Sequence, residues 1–292
     1  MPSEMYGGFH SRLTAPAFAV FFLVLAFIYL RGWYSLRSEL PKAVGLWRFA
    51  AFMSAVLLIW VVSATPLAHL DHQFLTAHMV QHLVLMTLAA PLILLGQPAI
   101  TLVHSLPRRY ARRATSSVLH AAAFHGRGHI FAYPLFSWLA GTVCVLWWHV
   151  PAVFALGMQS ERWHQVEQIT FLAAGLVFWW PVVQPWPDVR KHPEWFIPLY
   201  LFLATLPCDA LSAFLTFCDR VAYWTYVSGP ELFHGSALRD QEFAGSMMWV
   251  WVTFVYLIPA VVITVQRLSA RKASWELEVV LDDKVTRQHA SA

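Results

Sequence analysis

The chain has 292 residues, of which 58% are hydrophobic and only 12% charged, and it carries a net charge of +4. Soluble domains hold roughly 45–50% apolar and 25% charged residues, so a water-soluble globule is excluded and lipid must be part of the solvent. The length suits one helical bundle without a second sizeable domain. Basic residues that gather in cytoplasmic loops account for the positive charge, and no nucleic-acid partner is expected.

Seven apolar runs follow in chain order: Thr14–Leu30, Leu46–Thr65, Val80–Val103, Tyr133–Val150, Val166–Val183, Trp195–Phe217 and Phe243–Val265. Each is near the length of about 20 residues that crosses a hydrocarbon core, and in lipid each must be a helix, because the backbone has to satisfy its own hydrogen bonds. The first run is followed directly by Arg31-Gly-Trp-Tyr34 with no small-residue cleavage site, so it reads as a retained helix rather than a signal peptide. The expected fold is all-α, a polytopic bundle of seven transmembrane helices over residues 1–268 with a tail at 269–292. That tail is polar and expected to be partly disordered beyond Trp275.

Lys and Arg set the orientation. The loop after the first run holds Arg31, Arg37, Lys42 and Arg48, and the loop after the third holds Arg108, Arg109, Arg112, Arg113 and Arg127. The loop after the fifth adds Arg190 and Lys191, and the tail adds Arg267, Arg271, Lys272, Lys284 and Arg287. Only Arg12, Arg162, Arg220 and Arg239 fall on the other side, four of the 20 basic residues. The positive-inside rule then places the N-terminus outside and the C-terminus in the cytoplasm. In the longest inner loop, Pro107-Arg-Arg-Tyr-Ala-Arg-Arg-Ala114 spaces its arginines as on one helix face, suited to anionic headgroups or simply to fixing topology. The three cysteines, Cys144, Cys208 and Cys218, have no CxxC spacing and read as thiols, not a disulfide framework.

The histidines are not spread evenly with depth. His78-Met-Val-Gln-His82 opens the third run from the outer side. Residues four apart share a helix face about 6 Å apart along the axis, so both imidazoles can reach one ion, and Met86 continues that face a turn deeper. His149 closes the fourth run in Trp147-Trp-His-Val-Pro151, and His164 leads into the fifth in Trp163-His-Gln-Val-Glu167. Four histidines from three helices therefore meet the outer boundary, with His69, Asp71 and His72 in the adjoining loop. Singly, His69, His72 and His234 read as interfacial side chains satisfied by water or backbone. Glu167 shares a face with His164, and Asp209 lies about two-thirds along the sixth run; acids in the bilayer are costly and mark functional or paired groups. Asp240, at the start of the seventh run, reads as a helix cap.

Imidazole suits zinc, copper, iron and nickel, and the nearby thioethers of Met79, Met86, Met247 or Met248 lean toward copper. The expected metal site takes His78, His82, His149 and His164 as ligands, with Met86, Glu167 and Asp209 close by. Other readings compete. A retinal protein needs a lysine in the last helix, and Phe243–Val265 has none. A membrane heme protein with bis-histidine ligation is the alternative, although a pair four apart on one helix suits a small ion better than a porphyrin. A hydrolytic zinc enzyme with Glu167 as base ranks last, because no HExxH motif is present.

These stretches resemble the seven-helix CtaG family, named for assembly of heme-copper cytochrome c oxidases. The likeness runs from about the second to the seventh run. It rests on His78-Met-Val-Gln-His82 with Ala90-Pro91 and Gly96-Gln-Pro98, on Trp148-His149-Val-Pro151, and on His164-Gln-Val-Glu167 with Phe178-Trp-Trp-Pro181. Tyr223, Tyr226, Asp240-Gln241, Gly245 and Trp249 complete it. The resemblance implies a multi-pass protein of a bacterial plasma membrane, an assembly factor rather than an enzyme, that handles copper on the outer face for heme-copper oxidase subunits. One departure concerns the ligand set: family members commonly carry Glu-His at the start of the fifth helix, and here Glu167 is followed by Gln168. If that histidine is a ligand elsewhere in the family, this site has either lost one donor or replaced it, with His69, His72 or a methionine as the stand-in.

Overall fold

The computed structural model describes residues 3–39, 45–65, 70–105, 134–183, 193, 195–227 and 236–290, with side-chain detail between Phe18 and Ser269. The described residues are helical, with no strand among them. The described residues form the helices α1 (Ser3–Glu39), α2 (Leu46–Ala64), α3 (Leu75–Leu95), α4 (Pro98–His104), α5 (Pro134–Trp148), α6 (Pro151–Gln159), α7 (Glu161–Val183), α8 (Phe196–Phe217) and α9 (Ala237–Ala290). Six of the described helices are long and apolar enough to cross a membrane, and a seventh span results if α5 and α6 count as one. His69, His234 and the arginine-rich segment Pro107–Ala114 lie outside the described residues.

α3 is the central helix: 67% of its span is buried, against 22–39% for the other unbroken spans. It lies among α2, α7 and α9, and the main core joins residues of α3, α5, α7, α8 and α9, including Met79, Trp148, Phe171, Phe178 and Tyr256. A satellite cluster of Tyr29, Trp33, Leu36, Phe52 and Val56 ties α1 to α2. The outward faces remain apolar, as at Val143, Ile169, Phe217 and Val250, which is the surface that lipid must cover.

Several elements differ from the apolar runs. The third run reads as one helix from Val80 to Val103, yet α3 starts at Leu75 and stops before Gly96. Gln97 adopts a left-handed backbone (φ 48°, ψ 55°) and Pro98 cannot donate to the preceding turn, so the chain restarts as α4. The Tyr29 hydroxyl donates to the Gly96 carbonyl at 2.7 Å, and the Arg48 guanidinium donates to Gln97 Oε1, which pins this corner. Within α3, Val84–Ala89 form a π turn. Wider turns release carbonyls from regular pairing, and here Trp179 Nε1 donates to the Met86 carbonyl at 3.1 Å while Trp251 Nε1 reaches Thr87 at 2.9 Å. Gly175 permits this approach: a Cβ there would stand 2.7 Å from the Met86 carbonyl oxygen.

The fourth run is not one straight helix. α5 ends at Trp148 and α6 departs at 76°, because Val150 is extended (φ −65°, ψ 123°) before Pro151, a residue that pushes its predecessor out of the helical region. α5 alone has 15 residues, about 22 Å at 1.5 Å per residue, short of the roughly 30 Å of a hydrocarbon core. The last helix is longer than expected. It runs to Ala290, past the point where disorder was anticipated, and beyond Pro259 its sequence holds neither Gly nor Pro to stop it.

Candidate metal centre

The amino end of α3 leaves its first N–H groups without intrahelical partners, and Phe74 before it supplies no cap. The carboxylate of Asp240, from α9, does so instead. Its Oδ2 accepts from the Leu75 N–H at 2.7 Å, and its Oδ1 accepts from the Thr76 N–H at 3.3 Å and the Thr76 hydroxyl at 2.5 Å. Asp240 is therefore a cap, as its position suggests, but of a helix 165 residues away in sequence rather than its own. Gln241 adds a second tie: its Oε1 accepts from the Ala222 N–H at 2.7 Å, while its Nε2 donates to the Leu215 and Arg220 carbonyls.

One turn inside this cap, His78 and His82 point to the same side, their ring centroids 4.2 Å apart. α7 brings His164 and Glu167 to meet them, three residues apart on one face. Glu167 Oε1 lies 3.4 Å from His78 Nε2 and 3.8 Å from His82 Nε2, and all four side chains are buried, at 1–4% exposure. Their ligating atoms fall within 4.8 Å of one another. Phe154 packs on His78 and Phe171 stacks on His82 at 4.1 Å, which closes the sides of the cluster. Gly157 of α6 makes room for the carboxylate: a Cβ on it would stand 2.8 Å from Glu167 Oε2.

His149 sits in the α5–α6 bend. Its Nδ1 is 2.7 Å from the Val145 carbonyl, which can only accept, so Nδ1 carries the proton and a neutral ring turns the Nε2 lone pair outward. That nitrogen lies 3.3 Å from the Met79 sulfur. The Tyr223 hydroxyl donates to the His149 carbonyl at 3.1 Å and fixes the bend from the far side.

A second group forms at the mouth of the cluster. Asp71, His72 and His164 also bring ligating atoms within 4.8 Å of one another. His164 Nε2 is 3.5 Å from Asp71 Oδ2, His72 Nε2 is 3.7 Å from Asp71 Oδ1, and the His72 side chain is 38% exposed. The Tyr226 hydroxyl donates to the Asp71 carbonyl at 2.6 Å and anchors the turn. Burial holds the Asp71 carboxyl above the usual carboxylate range, and His72 and His78 partly offset that. Burial likewise raises the Tyr226 phenol, and the neighbouring carboxylates of Asp71, Glu167 and Asp240 add to it.

A metal fits these donors. Among the described residues, the Nε2 atoms of His78, His82 and His164, both carboxylate oxygens of Glu167 and Oδ1 of Asp71 are buried without a hydrogen-bond partner. Buried polar atoms are costly when unsatisfied. Two donors on a tetrahedral ion with bonds of about 2.0–2.1 Å stand roughly 3.3 Å apart, close to the 3.4 Å between His78 and Glu167. A macrocycle fits poorly, since the histidine rings pack on one another and on Phe154 and Phe171.

Of the residues singled out in the sequence, the structure brings His78, His82, His164 and Glu167 together. His149 faces Met79 instead. Met86 lies in the apolar core, its terminal methyl 3.2 Å from the position of a Cβ on Gly141. The π turn that starts at Val84 breaks the four-residue register on which the extension from His82 to Met86 relied. Asp209 is on α8, beside Cys208, and is not among the donors that meet. Gln168, the residue after Glu167, puts its amide nitrogen 3.4 Å from His164 Nδ1. Asp71 as a candidate donor and Gly157 were missed as parts of the site. Asp71 carried a signal in its Asp71-His72 pairing, whereas nothing local marks Gly157.

The model of the family described as cytochrome c oxidase caa3 assembly factor matches residues 27–270. No curated protein and no solved structure matches the chain.

Proposed function

For this chain, which belongs to the cytochrome c oxidase caa3 assembly factor family, we propose that it binds copper at the buried histidine–glutamate cluster and assists its delivery to heme-copper oxidase subunits. The proposal keeps the orientation read from Lys and Arg. The cluster then faces outward, since α3, α7 and α9 all begin beside it and the loops at that end are poor in basic residues.

The observation that carries the reading is the convergence of His78, His82, His164 and Glu167, whose Nε2 and carboxylate oxygen atoms are buried without hydrogen-bond partners among the described residues. Three imidazoles and one carboxylate suit copper or zinc. The carboxylate offsets the charge of an ion drawn out of water, which an apolar cage would not do. The neighbouring His149–Met79 pair favours copper, because a bare imidazole nitrogen 3.3 Å from a thioether offers two donors of the kind Cu(I) selects. Met86 and Asp209 stand outside this ligand set. Delivery needs an ion that can leave, and a site at the boundary, not the bilayer centre, allows transfer to a partner on the outer face.

The test is a Cu(I) competition titration on the full-length protein in detergent. Replacing His78 or His82 by Ala is expected to weaken binding far more than replacing His120, His125 or His129 of the inner loop. Equal copper retention in the two sets would reject the site.

A further inference from the structure

We propose that this protein holds its metal at two successive positions that share one ligand, His164: an outer one formed with Asp71 and His72, and a deep one formed with His78, His82 and Glu167. The inference rests on the metal-binding reading above and adds a path to it.

The geometry sets the order. The two donor groups overlap in His164 alone. Its ring lies 5.0 Å from that of His72, edge to face, and 5.5 Å from that of His78, nearly parallel at 22°. His72 is open to solvent, while His164, Asp71, His78, His82 and Glu167 are buried. An ion arriving from outside therefore meets His72 and Asp71 before it can reach His78. Each position holds one carboxylate, Asp71 outside and Glu167 inside, so a cation moving between them leaves one counter-charge only as it gains another. In a low-dielectric surround, a path with an acid at each stop avoids the cost of a bare charge between them.

The step is a ligand exchange with no change of oxidation state. Bonds to Asp71 and His72 break as bonds to His78, His82 and Glu167 form, and the bond to His164 is the one kept throughout. The parts that must stay still are fixed: Tyr226 anchors the Asp71 turn, Asp240 caps α3 ahead of His78, and Gln168 sits against His164 Nδ1. His72 is the exposed member, in contact with Asp71 and His164.

The experiment separates uptake from affinity. Full-length protein in detergent receives Cu(I) from a chromophoric chelator, with the rate followed by stopped flow and the equilibrium affinity measured on the same samples. Asp71→Asn and His72→Ala are expected to slow uptake by about tenfold or more, since a charged, donor-lined mouth raises capture rates by that order, while equilibrium affinity falls far less than in His78→Ala. His78→Ala should lose affinity. His72→Ala changes an exposed side chain and leaves the fold intact, so agreement between the two outer variants excludes misfolding as the cause. Uptake at the wild-type rate in both outer variants would overturn the relay while leaving the deep site standing. Parallel loss of rate and affinity would also overturn it, making Asp71 and His72 plain members of one site. A wild-type protein that takes up no Cu(I) would instead sink the metal-binding reading itself.

Discussion

Gly157→Ala is the most discriminating perturbation of the deep site, because it touches the ligand only through packing. The added Cβ would stand 2.8 Å from Glu167 Oε2, 3.5 Å from its Cδ and 3.4 Å from the Trp148 ring. Ordinary contact begins near 3.4 Å, so the carboxylate must retreat by about half an ångström while the rest of the surround is already in contact. Displacing a group that orients a metal ligand typically lowers affinity by about 10–100-fold, or roughly 1.4–2.7 kcal/mol. Stability should move the other way or hardly at all: Gly157 lies inside α6 without a left-handed backbone, and Ala in a helix interior gains about 0.5–1 kcal/mol over Gly. The assay is a Cu(I) competition titration beside a thermal melt of the metal-free protein. Weaker copper binding at unchanged or higher melting temperature is the expected result. Unchanged affinity would refute the placement of Glu167 among the ligands.

Met79→Leu is expected to weaken Cu(I) binding and spare zinc, whereas Met86→Leu in the apolar core should alter neither; titrations with both ions decide it, and Leu nearly preserves the volume of Met. A periplasm-only reporter should be active when fused after Asp71, Met158 or Gly235 and silent after Arg112 or in the tail; the reverse pattern would overturn the orientation. Asp71 yields a pH prediction. Its carboxyl is raised by burial, so the folded metal-free protein holds a proton that the unfolded chain has already released. Stability then falls as pH rises from about 3.9, the ordinary Asp value, through the raised one. Asp71→Asn should remove that dependence and raise the melting temperature of the metal-free protein at neutral pH, checked by melts from pH 4 to 7.

Much of this architecture is written in hydropathy. The apolar runs locate the spans, because a lipid-facing helix must be apolar over its length, and the His78/His82 spacing marks one face of a rigid element. What hydropathy misses has physical causes. α3 begins at Leu75 rather than Val80, and its first turn is capped by Asp240, a partner far away in sequence. The bend at His149 follows from Pro151, which is visible in the sequence, but its 76° angle is not. The π turn at Val84–Ala89 has no proline or glycine to announce it, and it shifts Met86 off the face that His78 and His82 share. Asp71 reads as a loop acid until the turn anchored by Tyr226 brings it to His164.

The proposed function requires a small, copper-selective site, not a heme pocket, at the outer end of this bundle. Metal analysis of the purified full-length protein, with an absorption spectrum of the same sample, tests it most directly. The expected result is stoichiometric copper, lost in the His78→Ala and His82→Ala variants, and a spectrum without a Soret band. A Soret band that disappears in those same variants, or wild-type protein that retains no copper after copper loading, would contradict it.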